Sequence, residues 1–194
     1  MAGLWFEEFE VGRVFDHPLR RTVTETDNLL VSTLTHNPAP LHLDAEYMKG
    51  TEYGKILVNS CFTLGLMVGI SVNDTTQGTA VANLGWDEVR FPAPIFVGDT
   101  LRIESEVLTL ALERLAQDES IQLPEGEAGA LAKALPDWLP FPDVPPALAD
   151  LRESRSRPDQ GIVTFAHRAY NQHGELVAHC KRSSLQRKRP AANA

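Results

Sequence analysis

SCFTLGLMVGISV, residues 60–72, is the most apolar stretch of this 194-residue chain. In a helix its apolar side chains would lie on nearly every side, and a helix of that kind is normally buried. Ser60 is a favourable N-cap, because its hydroxyl can accept a hydrogen bond from the first turn. We therefore predict a buried helix over residues 61–72 at the centre of the fold.

Strands are predicted on the C-terminal side of this helix, in four segments rich in Val, Ile, Thr and Phe. They cover residues 79–90, 100–110, 162–170 and 176–185. The dipeptides Gly98-Asp99 and His173-Gly174 are typical of hairpin turns. A single buried helix combined with antiparallel strands predicts an α+β fold, in which the sheet curls around the helix.

The segment before the central helix is predicted to be extended over residues 11–23 and then helical. Thr24 and Asp27 can form a capping box, which predicts the start of a helix. The sequence NPAP, residues 37–40, ends that helix, because each proline removes a donor and disfavours helical geometry before it. A further helical turn is predicted over residues 44–49. The first helix is expected to bury one apolar stripe, formed by Leu29, Leu30, Val31 and Leu34.

The length favours one domain over residues 1–194. Residues 113–150 do not fit the strand pattern, because they contain LPDWLPFP and VPP, which a central strand would not tolerate. We predict that this segment is an insertion between two strands, with a short helix near residues 128–135. The basic residues near the C-terminus are expected to belong to a solvated tail, flexible over residues 188–194.

The composition argues against several classes of protein. A net charge of −8 has the wrong sign for nucleic acid or an anionic membrane surface. Two cysteines are too few for a disulfide framework, and no stretch approaches the ~18 apolar residues of a membrane span. The N-terminus lacks the basic and apolar regions of a signal peptide. A cytoplasmic location is therefore expected, with neither nucleic acid nor membrane as a partner.

Residues 34–44, LTHNPAPLHLD, hold the most informative candidates for chemistry. The two prolines restrict the backbone before His42, so we predict a stiffened loop that holds the imidazole in one geometry. An imidazole of ordinary pKa can accept and donate a proton near neutral pH, and the Asn37 amide can hold a water molecule. The pattern is equally consistent with a structural core histidine and an asparagine that ends a helix.

The same stretch resembles the signature of the MaoC-like hydratase family, which runs Asp-x-Asn-Pro-hydrophobic-His. Aligned on the histidine, residues 40–42 match its last three positions. Further segments of the chain are similar to the family in the same order, namely residues 53–60, 90–94, 97–101 and 161–187. The resemblance therefore covers nearly everything outside residues 113–150.

The resemblance implies a hot-dog fold, an assembly of at least two subunits, and the binding of acyl-coenzyme A thioesters. In the family, water adds across an α,β double bond or is eliminated to form one. An Asp and a His transfer the protons, and a backbone donor at the start of the central helix holds the thioester oxyanion. In this sequence the histidine is His42 and the donor is the Ser60 N–H, joined by that of Cys61, with Asn59 beside them. Coenzyme A is then part of the substrate, and no cofactor is expected.

One departure from the family is chemically important: Asn37 occupies the position of its Asp. An amide cannot act as a base, so either His42 transfers protons alone while Asn37 orients water, or activity is lost. Asp44 is a candidate for orienting the imidazole, with a helix cap as its alternative role. The sequence NPAPLHLD is similar to a subgroup that hydrates branched C5 dicarboxylyl-CoA, of the mesaconyl- or itaconyl-CoA kind.

An anionic acyl group or the phosphates of coenzyme A would need cations, for which the candidates are Arg90, Arg155 and Arg157. The other histidines share no ligand spacing with His42, so no metal is expected. Two alternative functions stay open. A hot-dog acyl-CoA thioesterase would be favoured by a lone carboxylate on the central helix, which residues 61–72 do not contain. The other alternative is a non-catalytic acyl-CoA-binding relative.

Overall fold

The computed structural model describes residues 3–108 and 159–190. After a short 3-10 helix at Phe6–Glu8, the chain forms strands and helices in the following order. They are β1 (Val14–Asp16), β2 (Arg21–Thr22), α1 (Glu25–Leu34), α2 (Pro40–Leu43), α3 (Ala45–Lys49), α4 (Ser60–Thr75), β3 (Ala80–Arg90), β4 (Thr100–Val107), β5 (Gln160–Tyr170) and β6 (Leu176–Arg187).

The strands form an antiparallel sheet with the order β1-β4-β5-β6-β3, and β2 also pairs with β4. β5 and β6 form the hairpin that His173-Gly174 predicts. The hairpin predicted at Gly98-Asp99 is wrong, because β3 pairs with β6 and not with the next strand along the chain. This pairing places β3 at one edge of the sheet.

The helix α4 packs against the sheet, as predicted. Its Met67 and Ile70 share a buried apolar cluster with Leu101 and Ile103 of β4 and Ala169 of β5. Side chains that alternate along β4 between buried and half-buried supply the apolar face that receives the helix.

The start of α4 differs from the prediction by one residue. Its N-cap is Asn59, whose side-chain oxygen accepts a hydrogen bond from the Cys61 N–H, and the helix itself begins at Ser60. Within the described part of the single chain, moreover, only one side of α4 is buried. Cys61, Gly65 and Gly69 are exposed, and no described atom outside the helix backbone lies within 4 Å of the position of a Cβ at either glycine. Apolar composition predicted burial all round, but the sheet covers a single face.

The helix α1 confirms its predicted start and contradicts its predicted core face. The Thr24 hydroxyl accepts from the Asp27 N–H, and the Asp27 carboxylate accepts from the Thr24 N–H, as in a capping box. The predicted stripe is largely exposed, with Leu34 77% exposed. The polar residues Asn28 and Ser32 are the buried ones. Hydrogen bonding therefore decides which face of α1 turns inward, and hydrophobicity does not.

The predicted loop is present at residues 37–39, but it ends before His42. Residues 40–43 form the short helix α2, with Pro40 at its first position, where proline needs no donor and its fixed φ suits a helix. The predicted turn at 44–49 is present as α3.

A series of hydrogen-bonded polar side chains, which we call the polar chain, joins the end of α4 to the sheet. The Asp74 carboxylate lies 2.6 Å from His17 Nδ1, and His17 Nε2 lies 2.7 Å from Ser105 Oγ. The same hydroxyl lies 2.7 Å from His167 Nδ1. His17, Ser105 and His167 are buried. His167 Nε2 has no hydrogen-bond partner within the part of the chain that the structure describes.

The predicted insertion at 113–150 and its helix near 128–135 lie outside the described residues, as does the end of the predicted tail. In the described part of that tail, the Lys188 N–H donates to the Asp159 carbonyl oxygen over 2.8 Å. Arg189 is hydrogen bonded to acidic residues of the N-terminal 3-10 helix. These bonds tie the end of β6 to the rest of the domain.

Candidate functional site

The imidazole of His42 is held by the chain that leads into α4. Its Nδ1 lies 2.9 Å from the carbonyl oxygen of Leu57. A carbonyl oxygen only accepts, so Nδ1 carries the hydrogen and the neutral ring presents Nε2 as a proton acceptor. The side chain is half-buried and lines two cavities. The ring is thus oriented by the backbone while it faces open space.

Asn28 is a residue of the site that the sequence analysis missed. It is 2% exposed, and its Nδ2 donates to the carbonyl oxygens of His42 over 2.9 Å and Leu57 over 3.3 Å. Its Oδ1 accepts from the Asn59 N–H over 2.8 Å. One side chain therefore fixes α2 and the N-cap of α4 relative to each other. The only signal in the sequence is a polar residue directly before the apolar run at residues 29–31.

The first turn of α4 leaves one backbone donor unused. The Cys61 N–H donates to the side-chain oxygen of Asn59, and the N–H groups of Phe62 and Thr63 both approach the Asn59 carbonyl oxygen, at 3.0 and 3.3 Å. Among the described residues, the Ser60 N–H has no hydrogen-bond partner. A free N–H at a helix N-terminus carries partial positive charge and is suited to binding an oxyanion.

His42 and Ser60 line the same cavity of about 380 Å³, which we call the Ser60 cavity. Most of the residues that line it are hydrophobic and include Val58, Phe91 and Ile95, while polar and apolar atoms share its exposed surface about equally. No Asp, Glu, Lys or Arg of residues 3–108 and 159–190 lines it. In such surroundings a few polar groups fix the orientation of a ligand.

A second cavity of about 360 Å³, the charged cavity, also borders His42. Lys49, Lys55 and Glu25 contribute to its wall. The Lys55 ammonium lies 3.9 Å from the centre of the Phe96 ring, a cation–π contact that orients it. The two cavities therefore offer different environments beside one imidazole, since the second one contains positive charge.

The structure does not bring Asn37 and Asp44 to the imidazole. Asn37 Oδ1 accepts from the Ala39 N–H over 3.0 Å, and the residue lines neither cavity. The Asp44 carboxylate caps α3 by accepting two backbone N–H groups, each over 2.9 Å. The cap role of Asp44 is thus the one observed, and the Leu57 carbonyl orients His42 instead.

The predicted substrate contacts are also only partly assembled around His42. Asn59 is buried, and its side-chain oxygen and nitrogen are both hydrogen bonded within the protein. The Cys61 N–H is occupied, so Ser60 is the remaining donor. Arg90 donates to the carbonyl oxygen of the preceding residue and lines neither cavity. Arg155 and Arg157 lie outside the described residues.

Two other carboxylates, those of Asp27 and Asp74, are occupied by hydrogen bonds and ion pairs that hold the fold together. Hydrogen bonds from Thr24 and the charge of Arg21 outweigh the opposing effect of burial and lower the pKa of the Asp27 carboxyl. Asp74 does lie on the central helix, because α4 runs to Thr75, beyond its predicted end. Its carboxylate belongs to the polar chain and lines neither cavity.

Neither a candidate metal site nor a membrane-spanning helix is found in residues 3–108 and 159–190. They contain no cluster of three or more His, Cys, Asp or Glu side chains that could hold a metal ion. Their helices are all too short or too polar to cross a bilayer.

Residues 7–121 match a protein family described as the MaoC like domain. The Mesaconyl-CoA hydratase of Cereibacter sphaeroides is 34% identical over 109 residues, which are 56% of this chain and 32% of that protein. The Beta-methylmalyl-CoA dehydratase of Chloroflexus aurantiacus is 31% identical over 108 residues, which are 56% of this chain and 30% of that protein. The chain thus spans about a third of the length of these curated relatives.

A conserved hypothetical protein from Mycobacterium tuberculosis with a double hotdog fold superposes with a TM-score of 0.65 at 18% identity. The superposition covers 99% of this chain and 46% of that one. At this identity the likeness bears on the fold alone, and it confirms the predicted hot-dog arrangement of an antiparallel sheet on one long helix. Since the family match covers more than half of the sequence, the chain belongs to the MaoC-like domain family.

Proposed function

We propose that this protein hydrates or dehydrates an α,β-unsaturated acyl-CoA thioester in the Ser60 cavity. One observation carries the proposal: His42 and the N–H of Ser60 border the same cavity, and among residues 3–108 and 159–190 neither His42 Nε2 nor this N–H has a hydrogen-bond partner. Membership of the MaoC-like family supports it. The names of the curated relatives, a CoA hydratase and a CoA dehydratase, agree with the same reaction class.

Addition of water to an enoyl thioester needs a base for the water and a donor for the enolate. With the thioester carbonyl against the Ser60 N–H, His42 Nε2 takes a proton from water as the water oxygen bonds to the β-carbon. The π electrons move toward the thioester oxygen, where the N–H and the dipole of α4 stabilise the charge. The imidazolium then protonates the α-carbon. The net change is one added water, and dehydration is the reverse.

Asn37 favours one alternative function, the binding of acyl-CoA without catalysis. It stands where the family has a carboxylate, and its side-chain oxygen accepts a hydrogen bond from the Ala39 N–H. In the hydratase proposal His42 must therefore act as the sole base. A thioesterase remains the second alternative, since the Ser60 donor would equally stabilise a tetrahedral intermediate.

We further propose a branched dicarboxylyl-CoA of the mesaconyl kind as the substrate. The sequence NPAPLHLD and the Mesaconyl-CoA hydratase relative support this choice. Lys49 and Lys55 in the charged cavity offer positive charge beside His42 for an anionic part of the substrate, such as a coenzyme A phosphate. The predicted cytoplasmic location stays a prediction.

A homodimer is also proposed, with β3 at the interface. An edge strand presents unpaired backbone groups to another chain, and β3 is one end of the strand order. Its Leu84 and Trp86 are 50% and 47% exposed. The glycine-bearing side of α4 is exposed as well. Apolar surface of this kind marks association sites.

The assay mixes the purified protein separately with mesaconyl-CoA and crotonyl-CoA, and follows the absorbance of the conjugated thioester and free thiol in parallel. We expect the absorbance to fall without release of thiol. Thiol release would instead identify a thioesterase. Binding of both esters with neither signal would identify the non-catalytic alternative.

A further inference from the structure

Lys55 brings an accessible positive charge to the charged cavity. The residue is exposed, and its ammonium group pairs with no carboxylate of residues 3–108 and 159–190. The second lysine of this cavity, Lys49, is paired with Glu46 over 2.5 Å. Glu25 adds one negative charge to the wall, which the two lysines outweigh. Lys55 is therefore the cation that this cavity offers to an anionic ligand.

The backbone couples the position of Lys55 to that of His42. Leu57, two residues after Lys55, forms an isolated antiparallel bridge with Phe96. Its carbonyl oxygen orients the His42 ring, while the Phe96 ring lies 3.9 Å from the Lys55 ammonium. A cation–π contact of this kind holds an ammonium group over the ring without neutralising it. One short segment of backbone therefore places both the imidazole and the cation at the charged cavity.

A mesaconyl thioester has a shape that suits two cavities joined at one imidazole. Its double bond is trans, so the thioester carbonyl and the free carboxylate point in opposite directions. That carboxylate is bonded directly to the β-carbon, which receives the water. Among the described residues, His42 alone lines both cavities. With the thioester carbonyl at the Ser60 N–H and the β-carbon beside His42, the carboxylate extends toward the charged cavity.

The phosphates of coenzyme A are the other anions of such a substrate. They are joined to the thioester sulfur through the long pantetheine arm. With the reacting carbon beside His42, these phosphates lie far from the imidazole, whereas the acyl carboxylate is one bond from that carbon. Because the charged cavity borders His42, its cation is placed for the acyl carboxylate.

We infer that Lys55 is a specificity-determining residue that binds the free carboxylate of the acyl group in the charged cavity. This inference rests on the proposed function and deepens it by naming the group that recognises a dicarboxylyl substrate. The ammonium donates a charge-assisted hydrogen bond to the carboxylate. A neutral acyl chain of the same shape forms no such bond, so the difference in affinity between the two esters comes from this charge.

The test measures kcat/KM for two matched esters. They are mesaconyl-CoA with its thioester beside the methyl group, and tiglyl-CoA, in which a methyl group replaces the carboxylate. Lys55→Met should lower the mesaconyl-CoA value about fivefold or more, the upper range for an exposed ion pair. The tiglyl-CoA value should change less than about twofold. An equal loss on both esters would place Lys55 at coenzyme A, and that result, or no loss on mesaconyl-CoA, overturns the inference.

Two further variants check that the charge itself is responsible. Lys55→Arg keeps the positive charge and should retain a preference for mesaconyl-CoA. Lys188→Met removes a positive charge from a residue that lines neither cavity, and it should leave the ratio of the two values unchanged. A preference lost as fully in Lys55→Arg as in Lys55→Met, or lost in Lys188→Met, contradicts the assignment.

Binding measurements separate this inference from the hydratase proposal, because saturated esters undergo no hydration. Titration calorimetry gives dissociation constants for α-methylsuccinyl-CoA and α-methylbutyryl-CoA, which differ only in the carboxylate. The wild type should bind the first more tightly, added NaCl should reduce this difference by screening the charges, and Lys55→Met should abolish it. If no ester is hydrated but this pattern is found, the reaction is wrong and the inference stands. If mesaconyl-CoA is hydrated but the wild type binds both saturated esters equally, the inference is wrong and the hydratase proposal stands.

Discussion

His42 Nδ1 and the carbonyl oxygen of Leu57 are 2.9 Å apart. This hydrogen bond crosses from α2 to the segment before α4, and it sets both the tautomer and the direction of the ring. The residue two positions after Leu57 caps α4, whose first N–H is the proposed oxyanion donor. The base and the donor are therefore positioned by the same short segment of backbone.

The first prediction concerns His42 itself. His42→Ala should lower kcat for hydration by about 10²- to 10⁴-fold, the usual contribution of a general base. Stability should fall only modestly, because the ring is half-buried and makes a single hydrogen bond to the described residues. Steady-state kinetics and thermal unfolding check the two parts. The matched control is His36→Ala, an exposed histidine on the same connection, which should keep its activity.

The second prediction concerns Asn28, which acts through other residues. Asn28→Ala removes the bonds to the His42 carbonyl, the Leu57 carbonyl and the Asn59 N–H. We expect a loss of stability of about 1–3 kcal/mol, since buried partners are left unpaired. If Asn28 positions the site, kcat should fall at least tenfold while KM changes little.

Thr26→Ala, an exposed position on the same helix, serves as the control for Asn28. A variant that loses stability but keeps its kcat at a temperature well below unfolding would show that Asn28 is structural only.

The sequence was sufficient for the parts of the fold that depend on local patterns. The α4 pattern, the Thr24 capping box and the strands β3 to β6 follow from periodicity and capping chemistry, and they match the structure within a few residues. The orientation of α1 could not be predicted in this way. Its polar Asn28 is buried because it bonds groups 14 to 31 residues away, and such partners are invisible in a local window.

The candidate site shows the same limit. His42 and Ser60 came from a resemblance to a known motif, and the structure places both on one cavity. The orienting group for His42 is a backbone carbonyl, which every residue carries, so no sequence pattern could identify Leu57.

The third prediction tests the missing carboxylate. Asn37→Asp keeps the side-chain oxygen that accepts from the Ala39 N–H, so the turn should be preserved. Residue 37 aligns with the Asp of the family. If this side chain reaches the substrate in the assembled protein, the new carboxylate adds a second base and kcat should rise at least tenfold. Stopped-flow or steady-state hydration assays measure this. Activity found only in Asn37→Asp would favour the non-catalytic alternative for the natural chain.

The fourth prediction concerns assembly through β3. Trp86→Glu places a charge on an apolar side chain that is 47% exposed in the single chain. We expect the wild type to run as a dimer in light scattering and this variant to dissociate, because burying an unpaired charge at an interface is strongly unfavourable. Val14→Glu, on β1 at the opposite end of the strand order, is the control. A wild-type monomer, or a variant that stays dimeric, contradicts the assignment of β3.

The fifth prediction follows from the burial of His167 in the polar chain. Burial, with a further contribution from the charge of Arg182, holds the pKa of this imidazole well below its ordinary value. The unfolded chain takes up a proton near pH 6.5, whereas the folded protein does not until the pH is lower. Between these two pKa values the unfolded state binds one more proton, so acidification destabilises the fold by up to about 1.4 kcal/mol per pH unit.

His167→Gln should therefore flatten the dependence of unfolding free energy on pH below about 6.5, even though the loss of its bond to Ser105 lowers stability at neutral pH. Urea unfolding from pH 5 to pH 8 measures both effects. His179, whose pKa is lowered by burial and by the charge of Arg90, adds a slope of the same sign that the variant retains. His173→Gln, in the exposed turn between β5 and β6, is the control for the substitution itself. An equal slope in His167→Gln and the wild type would mean that His167 takes up its proton in the folded protein as readily as in the unfolded chain.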